Sequence, residues 1–518
     1  MAAATTVSRP LLAQIGRTPE LVPPIDDPRL KSLVTRALEA AQGAGAAYAD
    51  VRLTHSWGRV ITVSNVSDVE AVNVGVRALV DGYWGFATGP VWSLPEMARL
   101  GREAVHQAKT NALGKPRPVD LAPAPTVPDG RWVMPVRIDP FEIPPVEIQD
   151  FLDSLEIFTK RTPGASVASN RCMLFKQEKV FGSMAGSYFT QRLYRTTGSL
   201  SIGLQKVGGK GGSGVVDLLS PAGVGWELYR DQPLREAIRR VIEEIEEDIK
   251  LPVKPVEVGR YDTVFDAASV ASMVDVTLGA ATELDRALGY EANAGGTSYI
   301  NDPLVMLGSY QAGSPLLTIT ANRSQRGGCA TVKWDDDGVA PDEFTLVKDG
   351  VLTDFQTTRE GAGWLKDAYT KAGRPMRSHG CAAAPSAAEA PLSHRPNVRL
   401  VPGREGHDFD ALVGGVTSGI AIKGARLDMD FQHLNGLGIG RTYEIKKGKR
   451  VARIANAGLL FRSPELWKGL LAMGGSASER RYGRAASKGE PVQTCFASVT
   501  APPAVFEQLT VIDPKRKA

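Results

Sequence analysis

Directly after Pro28 the apolar positions fall at helical spacing: Leu30, Leu33, Val34, Ala37, Leu38 and Ala41 share one face, and Gly43 stops the run. Asp26 and Asp27 precede it as capping residues, so an amphipathic helix is predicted to open there. From Tyr48 to Ala87 the period changes to two. YADVRLTH, RVITVSN and AVNVGVRALV alternate β-branched with polar residues, which predicts strands, and the run closes on DGYWGFATG. SLPEMARLGREAVHQAKTNA returns to helical spacing and completes a helix, sheet, helix module of about ninety residues.

Prolines crowd the next stretch, KPRPVDLAPAPTVPDG, and mark a linker. Ile148, Phe151, Leu152 and Leu155 then fit a helix opened by Pro144 and Pro145. Strand-like segments follow through NRCMLFKQEKVFGSM, GSYFTQRLYRTT and SLSIGLQKV. A helix from about Pro233 carries Leu234, Ile238, Val241, Ile245 and Ile249 on one face, with Arg and Glu on the other. Beyond Leu251, Gly-rich turns and strands dominate; KDG and KKGK each join two alternating segments and predict hairpins. No internal repeat is evident. The pattern predicts a multi-domain α+β chain: an extended arm over 1–27, an N-terminal domain over 28–114, a Pro-rich linker over 115–136, a mixed central domain over 137–251 and a β-rich C-terminal domain over 252–518.

Composition narrows the function classes. With 518 residues the chain is too long for one core. Its 61 basic and 57 acidic residues leave a net charge of +4, which demands no nucleic-acid or membrane partner. No apolar run approaches the ~20 residues a membrane span needs. Neither does the first stretch combine a cationic start with an apolar core, so a cytoplasmic location is expected, with export after removal of a signal as the alternative. Cys172, Cys329, Cys381 and Cys495 are widely spread, form no CxxC pair and are expected as buried free thiols.

Each motif that suggests chemistry has a plainer reading. VGGKGGSGV around Lys210 lacks the P-loop register and is expected as a hairpin loop. WDDDGVAPDE lacks the alternating acids of a calcium loop and is expected as a solvent-facing turn. The six histidines form no HExxH, and His379 with Cys381 is at most an isolated ligand pair. No GxSxG occurs, and nothing singles out a Ser/His/Asp triad.

GVRALVDGYWGFATG, Gly75 to Gly89, resembles the first-domain signature of the TldD/PmbA (TldD/TldE) metallopeptidase family. GRTYEIKKGKRVARIANAGLLFRSPELWKGLLAMGG, Gly440 to Gly475, resembles that family's C-terminal hairpin and following segment, and DDDG before EFTLVKDGVLTDF resembles a further block in the same order. Catalytic members are zinc peptidases with His-Glu-x-x-x-His followed by Glu-x-Asp-Arg. Glu283, Asp285 and Arg286 match the last element. Counting back sets Asp275 at the first histidine, Val276 at the glutamate and Ala280 at the second histidine, and Ala486 falls where a cysteine ligand is implied.

Zinc needs electron-pair donors at about 2.0–2.3 Å, and hydrolysis needs a base for the bound water. Val276 and Ala280 offer neither. With about 100° per residue, Glu283 and Asp285 would each lie about 80° from Asp275, on opposite sides of one helix over Ser272–Arg286, so the three acids are not expected to converge. No catalytic residue, metal ligand or cofactor is therefore expected in this chain. The resemblance implies a metal-free subunit of a hetero-oligomeric peptidase, partnered by a homologous TldD-type subunit and accepting a peptide or unfolded polypeptide as an added strand, in a dimer or larger oligomer. The alternatives are an active metallopeptidase with another ligand set, drawn from His379, Cys381 or the partner, and a stand-alone peptide-binding scaffold.

Overall fold

The computed structural model of the chain describes residues 22–112, 119–204, 214–404 and 406–515. Most of the expected arm and the glycine loop around Lys210, up to residue 213, lie outside the described residues. Helix α1 (Arg29–Gly43) forms where the spacing placed it and buries Leu30, Leu33, Val34, Ala37 and Ala41. Asp27 anchors its entry, accepting the Arg29 backbone N–H at 2.8 Å.

Seven strands build the first sheet: β1 (Tyr48–Thr62), β2 (Val66–Val80), β3 (Tyr83–Gly89), β4 (Gly130–Val133), β5 (Ala165–Ser183), β6 (Tyr188–Leu204) and β7 (Gly214–Asp217). Their order is β3-β2-β1-β5-β6-β4, with β7 also paired to β6. Neighbours run antiparallel except β4 and β6. Because β1 pairs with β5 from Asp50 to Thr62, the segments expected as N-terminal and central domains contribute to one sheet.

Strand alternation sends successive residues to opposite faces. Ala49, Val51 and Leu53 of β1 and Val74, Val76 and Ala78 of β2 enter a core with α1 and α2 (Leu94–Asn111). Helices α3 (Pro145–Thr159) and α4 (Leu234–Lys250) cover the stretch around Leu174 and Leu200 through Ile148, Leu152, Ile238 and Ile245. The other face of β1 and β2 presents Asp50, Arg52, Thr54 and Arg77. Polar alternation usually marks a solvated face, but these four side chains are buried, because the C-terminal half lies over them. Arg52 Nη2 donates to the Glu389 carbonyl at 2.6 Å, and the Ala387 N–H donates to Thr54 Oγ1 at 2.9 Å. Gly75 permits this approach: a Cβ there would stand 2.1 Å from the Ala387 carbonyl oxygen.

The C-terminal half holds a six-stranded and an eight-stranded sheet. Phe265, Met273, Leu278, Ile319, Val398, Trp467 and Phe506 share its largest core. Both expected hairpins form, and Asp349-Gly350 and Lys447-Gly448 all have positive φ, as a two-residue type I′ connection requires. One expectation fails here. The Asp335–Asp337 turn does not face solvent: its three side chains are buried, those of Asp336 and Asp337 against the polar face of the first sheet. Asp336 takes Lys179 Nζ of β5 at 2.9 Å, and Asp337 takes Arg77 Nη2 of β2 at 2.7 Å.

Candidate functional site

The stretch from Ser272 to Arg286 is not one helix. Helix α5 (Ala267–Met273), capped by Asp266, widens into a π-helical turn over Val274–Gly279. Such turns leave part of the backbone ladder out of register and recur at functional sites. The helix then ends, and Glu283 is extended at φ −65°, ψ 114° before the single turn α6 (Leu284–Ala287). Gln356 fixes the break: its N–H donates to the Thr282 carbonyl at 2.9 Å, and its side-chain Nε2 donates to the Gly279 carbonyl at 2.6 Å. Pairing with a distant segment thus overrides the local helical pattern.

The break overturns the single helix expected to carry the acids, and shared cations link the three without bringing them to one point. Asp275, 1 % exposed, lies 2.6 Å from Arg395 Nη1 and 2.5 Å from Arg484 Nη1 through its Oδ2. Glu283 faces the same Arg395, with Oε1 3.4 Å from its Nε and 3.6 Å from Lys488 Nζ, while Oε2 accepts from Arg286 Nε at 2.8 Å. Lys488 also donates to Asp285 at 2.7 Å. Burial would raise the Glu283 pKa, but Lys488, Arg395 and Arg286 outweigh it and hold the carboxyl well below its usual range. Burial likewise opposes charge on Arg395, but Asp275 and Glu283 overcome it and keep the guanidinium charged. Three carboxylates and four cations therefore form one largely buried network, with Arg484 at its exposed rim.

The remaining positions supply no chemistry to this network. Val276 offers its carbonyl oxygen, 2.9 Å from His433 Nδ1. Ala280 is fully buried. Ala486 sits on the strand Arg480–Lys488, opposite Cys495 of the strand Gln493–Ala501. All four cysteines are free, as expected, although Cys495 is only partly buried. His379 is held between Asp342 and Asp354 at 2.9 and 3.0 Å and stacks on Phe344, and burial pushes the Cys381 thiol up to about 12. The residues that the resemblance sets at zinc-ligand positions do not fit a zinc ion: Val276, Ala280 and Ala486 carry no side-chain donor, and two guanidinium groups already occupy the Asp275 carboxylate. Among the described residues, no three His, Cys, Asp or Glu side chains are grouped to hold a metal.

Sequence reasoning missed Arg395, Arg484 and Lys488. A signal was present in RAASK, where strand period puts Arg484, Ala486 and Lys488 on one face, so the small residue lies between two cations. Arg395 had no comparable signal, since its acids lie more than a hundred residues away.

Comparison with known proteins agrees with this architecture. The family profile "PmbA/TldA metallopeptidase domain 1" matches residues 49–108, and "PmbA/TldA metallopeptidase C-terminal domain" matches residues 258–513. A metalloprotease of Methanocaldococcus jannaschii is 22 % identical over 393 residues, 73 % of this chain and 78 % of that protein. One of Methanothermobacter thermautotrophicus is 24 % identical over 396 residues, 73 % of this chain and 77 % of that protein. Among solved structures, a Thermotoga maritima protein named as a candidate modulator of a DNA gyrase superposes with a TM-score of 0.69 at 15 % identity, over 93 % of this chain and 100 % of its own. TldE of Thermococcus kodakarensis superposes with a TM-score of 0.65 at 13 % identity, over 92 % and 99 %. With the first and C-terminal domains matched in order and the fold shared along nearly its whole length, the chain belongs to the PmbA/TldD metallopeptidase family.

Proposed function

We propose that this chain is the metal-free subunit of a hetero-oligomeric PmbA/TldD-type peptidase. The observation that carries the reading is the Asp275 carboxylate, buried and gripped by Arg395 and Arg484. Where catalytic relatives need a dication and a general base, this chain supplies guanidinium groups. The subunit shapes a peptide cavity and hands an extended chain to a homologous TldD-type partner. The strand Arg480–Lys488 ends the order of the six-stranded sheet; Ser220 already bonds the Gly483 N–H on its outer side, so an added peptide strand is assigned to the stretch beyond Gly483.

The test is co-expression with a TldD-type homologue that keeps His-Glu-x-x-x-His, followed by mass measurement, metal analysis and peptide cleavage. A mixed oligomer whose zinc belongs to the partner and whose cleavage rises at least tenfold with this chain present is the expected result. About one zinc per isolated chain, lost on Asp275→Ala, or cleavage by the isolated chain, would overturn the reading.

A further inference from the structure

A cavity of about 200 Å³ opens between the two halves of the molecule, next to Asp285. Three aromatic rings line it: Trp84 of β3, Tyr290 and Trp364, the last two stacked with centroids 4.8 Å apart. Asp285, Glu291, Asp337 and Glu360 also line it, against one cation, Arg77. Arg77 is engaged by Asp50 and Asp337, and Asp285 by Lys488. That leaves Glu291 and Glu360 as lining acids with no salt bridge among those of the described residues. Glu291 accepts the Gly489 N–H at 3.1 Å, and Glu360 accepts Trp84 Nε1–H at 3.1 Å.

Two further lining residues each carry a buried polar atom without a partner. Gln356 is fully buried and donates its Nε2 to the Gly279 carbonyl and to Thr282 Oγ1, which fixes the amide so that Oε1 is the free acceptor, and that oxygen has no hydrogen-bond partner. Ser393 is buried with its hydroxyl equally unpartnered. Buried polar atoms left unsatisfied cost free energy and call for a partner. Acceptors, carboxylates and aromatic rings together describe a site for an organic cation. A hard metal ion is the poorer match, because no three of the ligating side chains among the described residues are grouped to hold one.

We propose that this cavity binds a primary ammonium group, the α-ammonium of a short peptide. Glu291 and Glu360 supply the countercharge, Gln356 Oε1 and the Ser393 hydroxyl accept N–H bonds, and the rings cover the first residue. The acids behave as a site awaiting a cation. Burial raises both pKa values; Lys488 and Arg286 oppose the rise at Glu291 while Asp285 adds to it, and at Glu360 Asp337 and Asp285 add to it while Arg77 opposes. Ammonium binding therefore weakens as pH falls and these carboxyls take up protons.

The inference rests on the reading of the chain as a peptide binder, yet it is tested on the full chain alone. Calorimetric titration with trialanine, N-acetyl-trialanine and an N-acetylated peptide containing one lysine separates the sources of ammonium. Trialanine should bind at least tenfold more tightly than its acetylated form, and Glu360→Gln and Glu291→Gln should each lose about that factor with an unchanged melting temperature. Binding of the acetylated lysine peptide as tight as trialanine would overturn the α-ammonium assignment in favour of a side-chain amine. Equal binding of both trialanine forms, or none, would overturn the site outright. Cleavage stimulated in the mixed oligomer without any response to acetylation would sink this inference alone, whereas amine-dependent binding without stimulation would sink only the subunit reading.

Discussion

Asp275 and Asp336 are both buried carboxylates answered by cations, yet their partners come from different places. Asp275 is held by Arg395 and Arg484, which belong to the same C-terminal body and meet it beside α5. Asp336 is held by Lys179 of β5, and its neighbour Asp337 by Arg77 of β2, so that network spans the seam between the first sheet and the C-terminal half. One network fills the interior of a single body, and the other fastens two bodies together. A buried ion pair contributes little over a packed apolar pair but is expensive to break from one side. The two networks should accordingly fail at similar cost and in different parts of the molecule.

The largest effect is expected from Asp275→Ala, which removes the carboxylate shared by Arg395 and Arg484 and leaves Arg395 with Glu283. Unfolding in denaturant should show a loss of about 3–5 kcal/mol, and hydrogen exchange should rise across α5 and the strand Arg480–Lys488 while α1 and α2 stay protected. Wild-type stability in this variant would mean that the guanidinium groups are satisfied without Asp275.

Lys179→Met tests the seam. It leaves Asp336 with the Ala384 N–H at 2.8 Å but without its ammonium, and should cost about 3 kcal/mol. Adding Asp336→Asn keeps an acceptor for that N–H while removing the stranded charge, so the double variant should recover at least about 1 kcal/mol. Exchange should rise along β1 and β5 rather than around α5. If it rises around α5 instead, the two networks are one cooperative unit and the contrast between them fails.

A backbone contact across the same seam gives a smaller effect. Gly75 meets the Ala387 carbonyl where a Cβ would stand 2.1 Å from the oxygen, whereas a Cβ on Gly43 would meet nothing within 4 Å. Gly75→Ala should therefore destabilise by about 1–3 kcal/mol, whereas Gly43→Ala, at a helical position with open space, should leave the melting temperature level or raise it slightly.

The seam and the network differ as well in how far the sequence revealed them. Periodicity located α1, α2 and the strands, because each buries one apolar face and the spacing of that face is local information. Glycine at positions 350 and 448 was equally legible, since a two-residue turn depends on few neighbours, whereas the close approach at Gly75 was not, because Ala387 lies far along the chain. The polar face of β1 was visible as Asp50, Arg52 and Thr54, but what covers it is a segment more than three hundred residues away. The acids of Asp335–Asp337 look like a turn for the same reason: their cations lie on β2 and β5. In the candidate site the residue types were legible and the geometry was not, because the helix broken at Glu283 owes its break to Gln356.

The smallest expected effect sharpens the contrast through pH, at the start of the segment that brings the Ala382 and Ala384 N–H groups to Asp335 and Asp336. Burial alone would favour neutral His379, but hydrogen bonds to Asp342 and Asp354 outweigh it and lift the pKa above the ordinary 6.5. A histidine raised in the folded state contributes stability that is complete below about pH 6.5 and is lost as pH rises through the folded value. Asp354 is also buried, which would raise it, yet His379 and Arg374 hold it below the ordinary 3.8, so its contribution is present above that value and fades as pH falls. The acid limb has a second source at the seam, where Lys179 and Arg52 overcome burial and lower Asp336 to about 2. His379→Gln should therefore flatten the alkaline limb of melting temperature against pH, by less than about 1 kcal/mol given the partly exposed Asp342, and shrink the share of the acid limb that Asp354 owes to His379, while the rest of the limb below about pH 4 stays because Asp336 still titrates there. A variant that abolished the acid limb altogether, including the share that Asp336 supplies, would show that the His379 loop and the seam titrate as one, and the distinction between an internal network and a fastening one would have to be redrawn to include it.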